Sequence, residues 1–213
     1  MGTTRDIVVL SSVRTAVGGY GGSLKSIAPC ELAATVIREA VQRAGVDPST
    51  VGHTVLGNVI HTEPRDMYVS RVASVNAGLP VDTPAFTLNR LCGSGLQAIV
   101  SATQQIETGH CDIAVGGGVE CMSRAGYTST SQRWGARMGD SAMVDMMVGA
   151  LTDPFEGVHM GITAENIAEK WGVTREDQDQ LAVESHRRAA AAWEEGRFKE
   201  QIVPIEIKSR KGT

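Results

Sequence analysis

The sequence has no apolar run long enough to cross a bilayer. Its start, MGTTRDIVVLSSVRTAV, has no basic segment leading into a long apolar core, so no secretory signal is expected and the chain is assigned to the cytoplasm. Gly2 meets the first demand of a myristoylation motif, but Asp6 stands where Ser or Thr is needed. Positive charge is not in excess: Lys and Arg number 20 against 24 Asp and Glu, for a formal net charge of −4. That balance gives no general electrostatic reason to bind nucleic acid or an anionic membrane. Basic residues do cluster at the end, as Lys208, Arg210 and Lys211, which leaves room for a local anion site. The four cysteines, Cys30, Cys92, Cys111 and Cys121, form no CxxC pair and no Cys/His group with zinc spacing, so no metal site is expected. The glycine-rich GGYGGSLKS is neither GxGxxG nor followed by GKS or GKT, which argues against a phosphate loop.

What is present is an alternation. Ile7–Leu10 reads as a short buried strand. A helix starts at Pro29, carries Leu32, Val36, Ile37, Ala40 and Val41 on one face, and ends at Gly45. The strand TVLGNVI follows, then a helix closed by Gly78, the strand AFTLNRL, a helix after Cys92, and the strand IAVGGGVE. This order predicts an α/β layered domain, with helices covering a largely buried sheet, over residues 1–121. Residues 122–213 differ. Met122, Met138, Met143, Met146 and Met147 lie among polar residues and suit adaptable packing or a subunit contact. Two helices and a strand then follow. Thr163 is expected to cap the first helix, and Thr174 with Asp177 the second.

The candidate chemistry centres on Cys92 in LNRLCGSGLQA. Leu96, Ile99, Val100, Thr103 and Ile106 recur at helical spacing, so Cys92 lies at or just before a helix N-terminus. There the backbone N–H groups and the helix dipole favour a thiolate, and could hold an oxyanion. Gly93 and Gly95 permit a sharp bend and close approach. A strand–nucleophile–helix elbow and a buried cysteine in a tight junction both fit this pattern. A nucleophile needs a base. His53, His61, His110 and His186 lie in polar contexts and read as surface residues; His159 stands between glycines beside Met160. Spacing alone assembles no Cys-His-Asp set.

NRLCGSGLQA resembles the nucleophile segment of the thiolases. VRTAVGGYGGSL resembles their first strand and loop, GGGVECMSRAGY their GGxExMS segment, and HMGITAEN with GRFKEQIVPIEIKSRKG their loop domain; HTEPRDMY and RWGARMGD look most like the bacterial biosynthetic-type β-ketothiolases. The resemblance spans nearly the whole chain in family order. It implies a thiolase-like α-β-α domain, with a mixed sheet and helices on both faces, over 1–121, and a truncated loop domain over 122–213, the C-terminal thiolase domain being absent. It implies acyl transfer between coenzyme A thioesters through acyl-Cys92: two acetyl-CoA to acetoacetyl-CoA and CoA, and thiolysis of short 3-oxoacyl-CoA. Coenzyme A and acyl-CoA would be substrates, with no further cofactor. Leu151, His159 and Met160 match positions lining the acyl and pantetheine pocket. A homo-oligomer, a dimer or a dimer of dimers, is implied, with a complementing C-terminal half, because the family's NEAF segment, GHP histidine and CxGGG cysteine have no match here. The alternatives are a non-catalytic fragment serving assembly or acyl-CoA binding, and a ketoacyl-synthase relative, whose cysteine context differs.

Overall fold

The computed structural model describes residues 6–207 and Gly212. Gly2 and the basic cluster Lys208, Arg210 and Lys211 lie outside the described residues. The chain divides into two compact units, residues 1–127 with 202–213, and residues 128–201. The sequence suggested a single boundary at 121/122.

The first unit runs α1 (Pro29–Ala44), β1 (His53–Gly57), α2 (Val69–Ala77), β2 (Ala85–Leu88), α3 (Ser94–Glu107) and β3 (Ala114–Gly118). Pro29 sits in the first turn of α1, and Gly45 ends it at φ 66°, a left-handed conformation that glycine adopts without strain. The strands lie in the order β2-β1-β3, all parallel. Each of these three strands is joined to the next by a helical crossover, and that connection imposes parallel pairing. The register sets Gly57 opposite both Leu88 and Gly118, so the carboxyl ends of the three strands lie side by side.

Period-two alternation along β1 makes both layers. Leu56 joins Cys30, Ala33, Ala34, Ile37, Val41, Val69 and Ala73 of α1 and α2 in one buried cluster. Its neighbour Val55 packs on the opposite face with Ala98 and Ala102 of α3. The result is the layered α-β-α arrangement, with helices on both faces.

Two expected strands are not formed. Ile7–Leu10 runs without a ladder, with Val8 70% and Val9 80% exposed. The run at 202–207 makes one bridge, Ile202 to Arg14, where the Val203 N–H donates to the Arg14 carbonyl at 2.7 Å. A β-branched run becomes a strand only where a neighbour offers a ladder, so its composition alone does not decide.

In the second unit, α4 (Met146–Ala150), α5 (Met160–Trp171) and α6 (Arg175–Glu194) follow one another. α6 begins with the expected capping box of Thr174 and Asp177. α5 begins earlier than Thr163 implied: its cap is His159, and Thr163 lies inside the helix, donating to the Met160 carbonyl. Among the described residues no helix is long and apolar enough to cross a membrane.

Candidate active site

β2 ends at Leu88, and within six residues the chain has turned into α3. Two polar side chains shape that turn. Asn89 Oδ1 accepts from the Leu91 N–H at 2.9 Å. The buried Ser94 hydroxyl accepts from the Arg90 N–H at 2.8 Å and donates to the Leu91 carbonyl at 2.6 Å. Between them Leu91 takes φ 48°, a left-handed conformation that is strained for a branched residue. Cys92 follows, exposed, two residues ahead of the first helical residue of α3. This is a strand–turn–helix elbow with its thiol facing solvent at the carboxyl end of a parallel sheet, the edge where open α/β sheets build their sites. The N–H groups of Gly93 and Ser94 are used within the turn, donating to the carbonyls of Arg90 and Leu91.

The glycines that let α3 approach the sheet lie in the strands. A Cβ on Gly57 would fall 2.6 Å from the Ser94 backbone carbon, one on Gly116 2.9 Å from Ile99 Cα, and one on Gly118 3.2 Å from Gly95 Cα. A Cβ on Gly95 would meet nothing within 4 Å.

Two of the other thiols, Cys30 and Cys121, are buried where Cys92 is exposed. Cys30 is fully buried, and burial, with the Asp66 carboxylate beside it, pushes its pKa up to about 12. Burial also raises that of Cys121. Neither is poised to act as a nucleophile at neutral pH.

His61, His110 and His186 are exposed, as their polar contexts implied. His53 is only half-exposed. It begins β1, its ring meets Phe86 edge-on at 5.5 Å, and burial lowers its pKa. The pairing of β1 with β2 creates that environment, and the local sequence does not display it.

Leu151, His159 and Met160 meet in the second unit. The Met160 N–H donates to the Leu151 carbonyl at 2.8 Å, and His159 pairs with Thr152. His159, an exposed residue, accepts at Nδ1 from the Gly161 N–H at 3.0 Å and so caps α5, which puts the proton of a neutral ring on Nε2. Cys92 belongs to the first unit and these three residues to the second.

Two residues the sequence reading passed over, Asn58 and Glu120, stand at the ends of β1 and β3. Both Glu120 carboxylate oxygens are engaged by the chain just past β1. The available signal for Glu120 was its place as the acidic residue of GGGVECMS, the segment that resembles GGxExMS. Among the described residues no group of three or more His, Cys, Asp or Glu could hold a metal ion.

Comparison with known proteins gives a consistent result. The family described as "Thiolase, N-terminal domain" matches residues 7–213. The Beta-ketothiolase BktB of Cupriavidus necator is 61% identical over 209 residues, which are 98% of this chain and 53% of that protein. An Acetyl-CoA acetyltransferase of the same organism is 47% identical over 208 residues, 97% of this chain and 53% of the relative. The crystal structure of the Bacillus anthracis acetyl-CoA acetyltransferase superposes with a TM-score of 0.91 at 42% identity, covering 96% of this chain and 52% of that one. The chain thus spans about half the length of the relatives it matches.

Proposed function

The chain belongs to the thiolase family, and from that premise we propose that it is the nucleophile-bearing part of an acyl-CoA acyltransferase in which Cys92 carries the acyl group. The observation that supports this most is the exposed Cys92 thiol on a strained turn at the carboxyl end of the parallel sheet. In the thiolytic direction the Cys92 sulfur attacks the 3-oxo carbonyl of a short 3-oxoacyl-CoA. The bond between C2 and C3 breaks, acetyl-CoA leaves after gaining a proton, and the shortened acyl group stays on sulfur. Free CoA then takes that group and regenerates the thiol. In reverse, acetyl-Cys92 meets the carbanion of a second acetyl-CoA and gives acetoacetyl-CoA. The Cys92 N–H serves one oxyanion, and the field at the start of α3 favours the thiolate.

In this reading coenzyme A and its thioesters are substrates, no other cofactor takes part, and Leu151, His159 and Met160 line the acyl and pantetheine pocket. The setting is the cytoplasm and the working form a homo-oligomer, a dimer or tetramer. Activating base and general acid come from the other half of the family's length, so the 213 residues alone are inactive in turnover. The test combines the chain with a C-terminal half and supplies acetoacetyl-CoA and CoA. Acetyl-CoA should form, and intact-mass analysis should find an acyl adduct on the Cys92 peptide. Full activity in Cys92→Ala, or none in the complete assembly, overturns the reading. An adduct with no turnover in that assembly favours a non-catalytic acyl-binding fragment.

A further inference from the structure

The carboxyl ends of β1, β2 and β3 lie side by side, and the Glu120 side chain ties the chain just past β3 to the chain just past β1. The Val119 N–H extends the ladder by donating to the Gly57 carbonyl at 3.0 Å. The next residue, Glu120, turns its carboxylate onto the segment leaving β1. Oε1 accepts from Asn58 Nδ2 at 3.1 Å and from the Ile60 N–H at 2.9 Å, while Oε2 accepts from the Val59 N–H at 2.9 Å. Four lone-pair positions on an ionised carboxylate suit three converging donors; a neutral amide cannot match them.

Asn58 passes this constraint on. It is 1% exposed. Its Nδ2 also donates to the Val119 carbonyl at 2.9 Å, and its backbone N–H donates to the Leu88 carbonyl at 3.0 Å. With a carbonyl and a carboxylate both facing Nδ2, the amide has one orientation, and Oδ1 is left buried without a hydrogen-bond partner. An unsatisfied buried acceptor is uncommon and is kept only where its surroundings hold it. Asn58 therefore bridges the end of β3 to the end of β2. Leu88 directly precedes Asn89, whose side chain sets the Leu91 N–H and hence the left-handed turn that presents Cys92. Gly57, the residue before Asn58, lies directly beneath Ser94.

We propose that Glu120 is a positioning residue for Cys92: its carboxylate locks residues 58–60 against the end of β3, and Asn58 carries that position through Leu88 into the Cys92 turn. The proposal rests on Cys92 being the acyl-carrying nucleophile. It distinguishes two reactions of the same thiol. Alkylation by iodoacetamide needs an accessible thiolate in any orientation. Acetylation by phenyl thioacetate also needs a backbone donor at the developing oxyanion; the new S–C bond forms as thiophenolate leaves, and the thiol proton passes to solvent.

Both rates are measured at Cys92 in the 213-residue chain by peptide mass spectrometry, with alkylation of buried Cys30 as the gauge of an intact first unit. In Glu120→Gln, acetylation should fall about tenfold more than alkylation, since misaligned oxyanion donors are expensive in rate. Cys30 should stay protected. Asn58→Asp, which sets a carboxylate against Glu120, should give the same split. Equal changes in both rates, or none, with Cys30 protected overturn the proposal. Exposure of Cys30 in both variants assigns Glu120 a purely structural role and also overturns it. No acyl adduct on Cys92 in the complete assembly supplied with acetoacetyl-CoA instead overturns the nucleophile reading beneath it.

Discussion

Single residues in this chain carry two duties at once, and substitution can separate them. His159 caps α5 through Nδ1, which leaves its other ring nitrogen outside the cap, on an exposed residue. Asn is a strong N-cap and has no ring. His159→Ala should cost about 0.5–2 kcal/mol of α5 stability through the lost cap, whereas His159→Asn should hold that stability. If His159 also touches the acyl chain, both variants should raise KM in the complete assembly. Circular dichroism melts and KM measurements check the two effects separately, and an unchanged KM in both variants would leave His159 a cap alone. The residue scale is also where the sequence was least legible. Cys92 was visible because its segment is local and contiguous. Glu120 was visible only as the acidic position of GGGVECMS; its bond to Asn58 was not, because it joins positions 62 residues apart, and nothing near either predicts the strand pairing that brings them together. His53 misled for the same reason: the ring of Phe86 from β2 meets it edge-on, a contact 33 residues away in sequence.

At the scale of elements, close approach between α3 and the sheet decides where the Cys92 turn sits. Gly57 and Gly95 predict opposite outcomes for the same substitution. A methyl group on Gly57 lands 2.6 Å from Ser94 Cβ and backbone, so α3 must lift; Gly57→Ala should destabilise the first unit by about 1–3 kcal/mol, as overpacking does. A methyl group on Gly95 meets nothing within 4 Å and replaces a helical glycine, so Gly95→Ala should be neutral or stabilising by up to about 1 kcal/mol. Urea unfolding followed by circular dichroism measures both, and a Gly57→Ala variant as stable as the parent would show that α3 is not seated on that glycine. The helices of the first unit were legible because each carries its own apolar stripe with a proline or glycine at an end. The strands were legible only where a neighbour exists. β1, β2 and β3 share ladders, while Ile7–Leu10 and residues 202–207 have the composition of strands without the pairing.

For the whole molecule, the two units differ in how their apolar groups are covered. The first has a buried cluster on each face of its sheet. In residues 128–201, all of them described, no residue is buried; Met138 is 97%, Phe155 93% and Trp134 82% exposed. Burial of apolar surface contributes about 25 cal/mol per Å², and helices without it are marginal in water. Capping by Thr174 and His159 and the exposed ion pairs of Arg187 and Arg188 with Glu184 offset little of that deficit. The second unit should therefore open far more often than the first, and a protease reads the population of open forms. Under limiting trypsin, cleavage after Arg133, Arg137, Lys170, Arg187, Arg188 and Lys199 should precede cleavage after Arg38, Arg43 and Arg71 by about tenfold in rate or more, the factor that each 1.4 kcal/mol of opening free energy supplies. Mass spectrometry of the early fragments should find a resistant piece containing α1 through β3. Equal rates in both units would mean that residues 128–201 are held by something other than a core of their own.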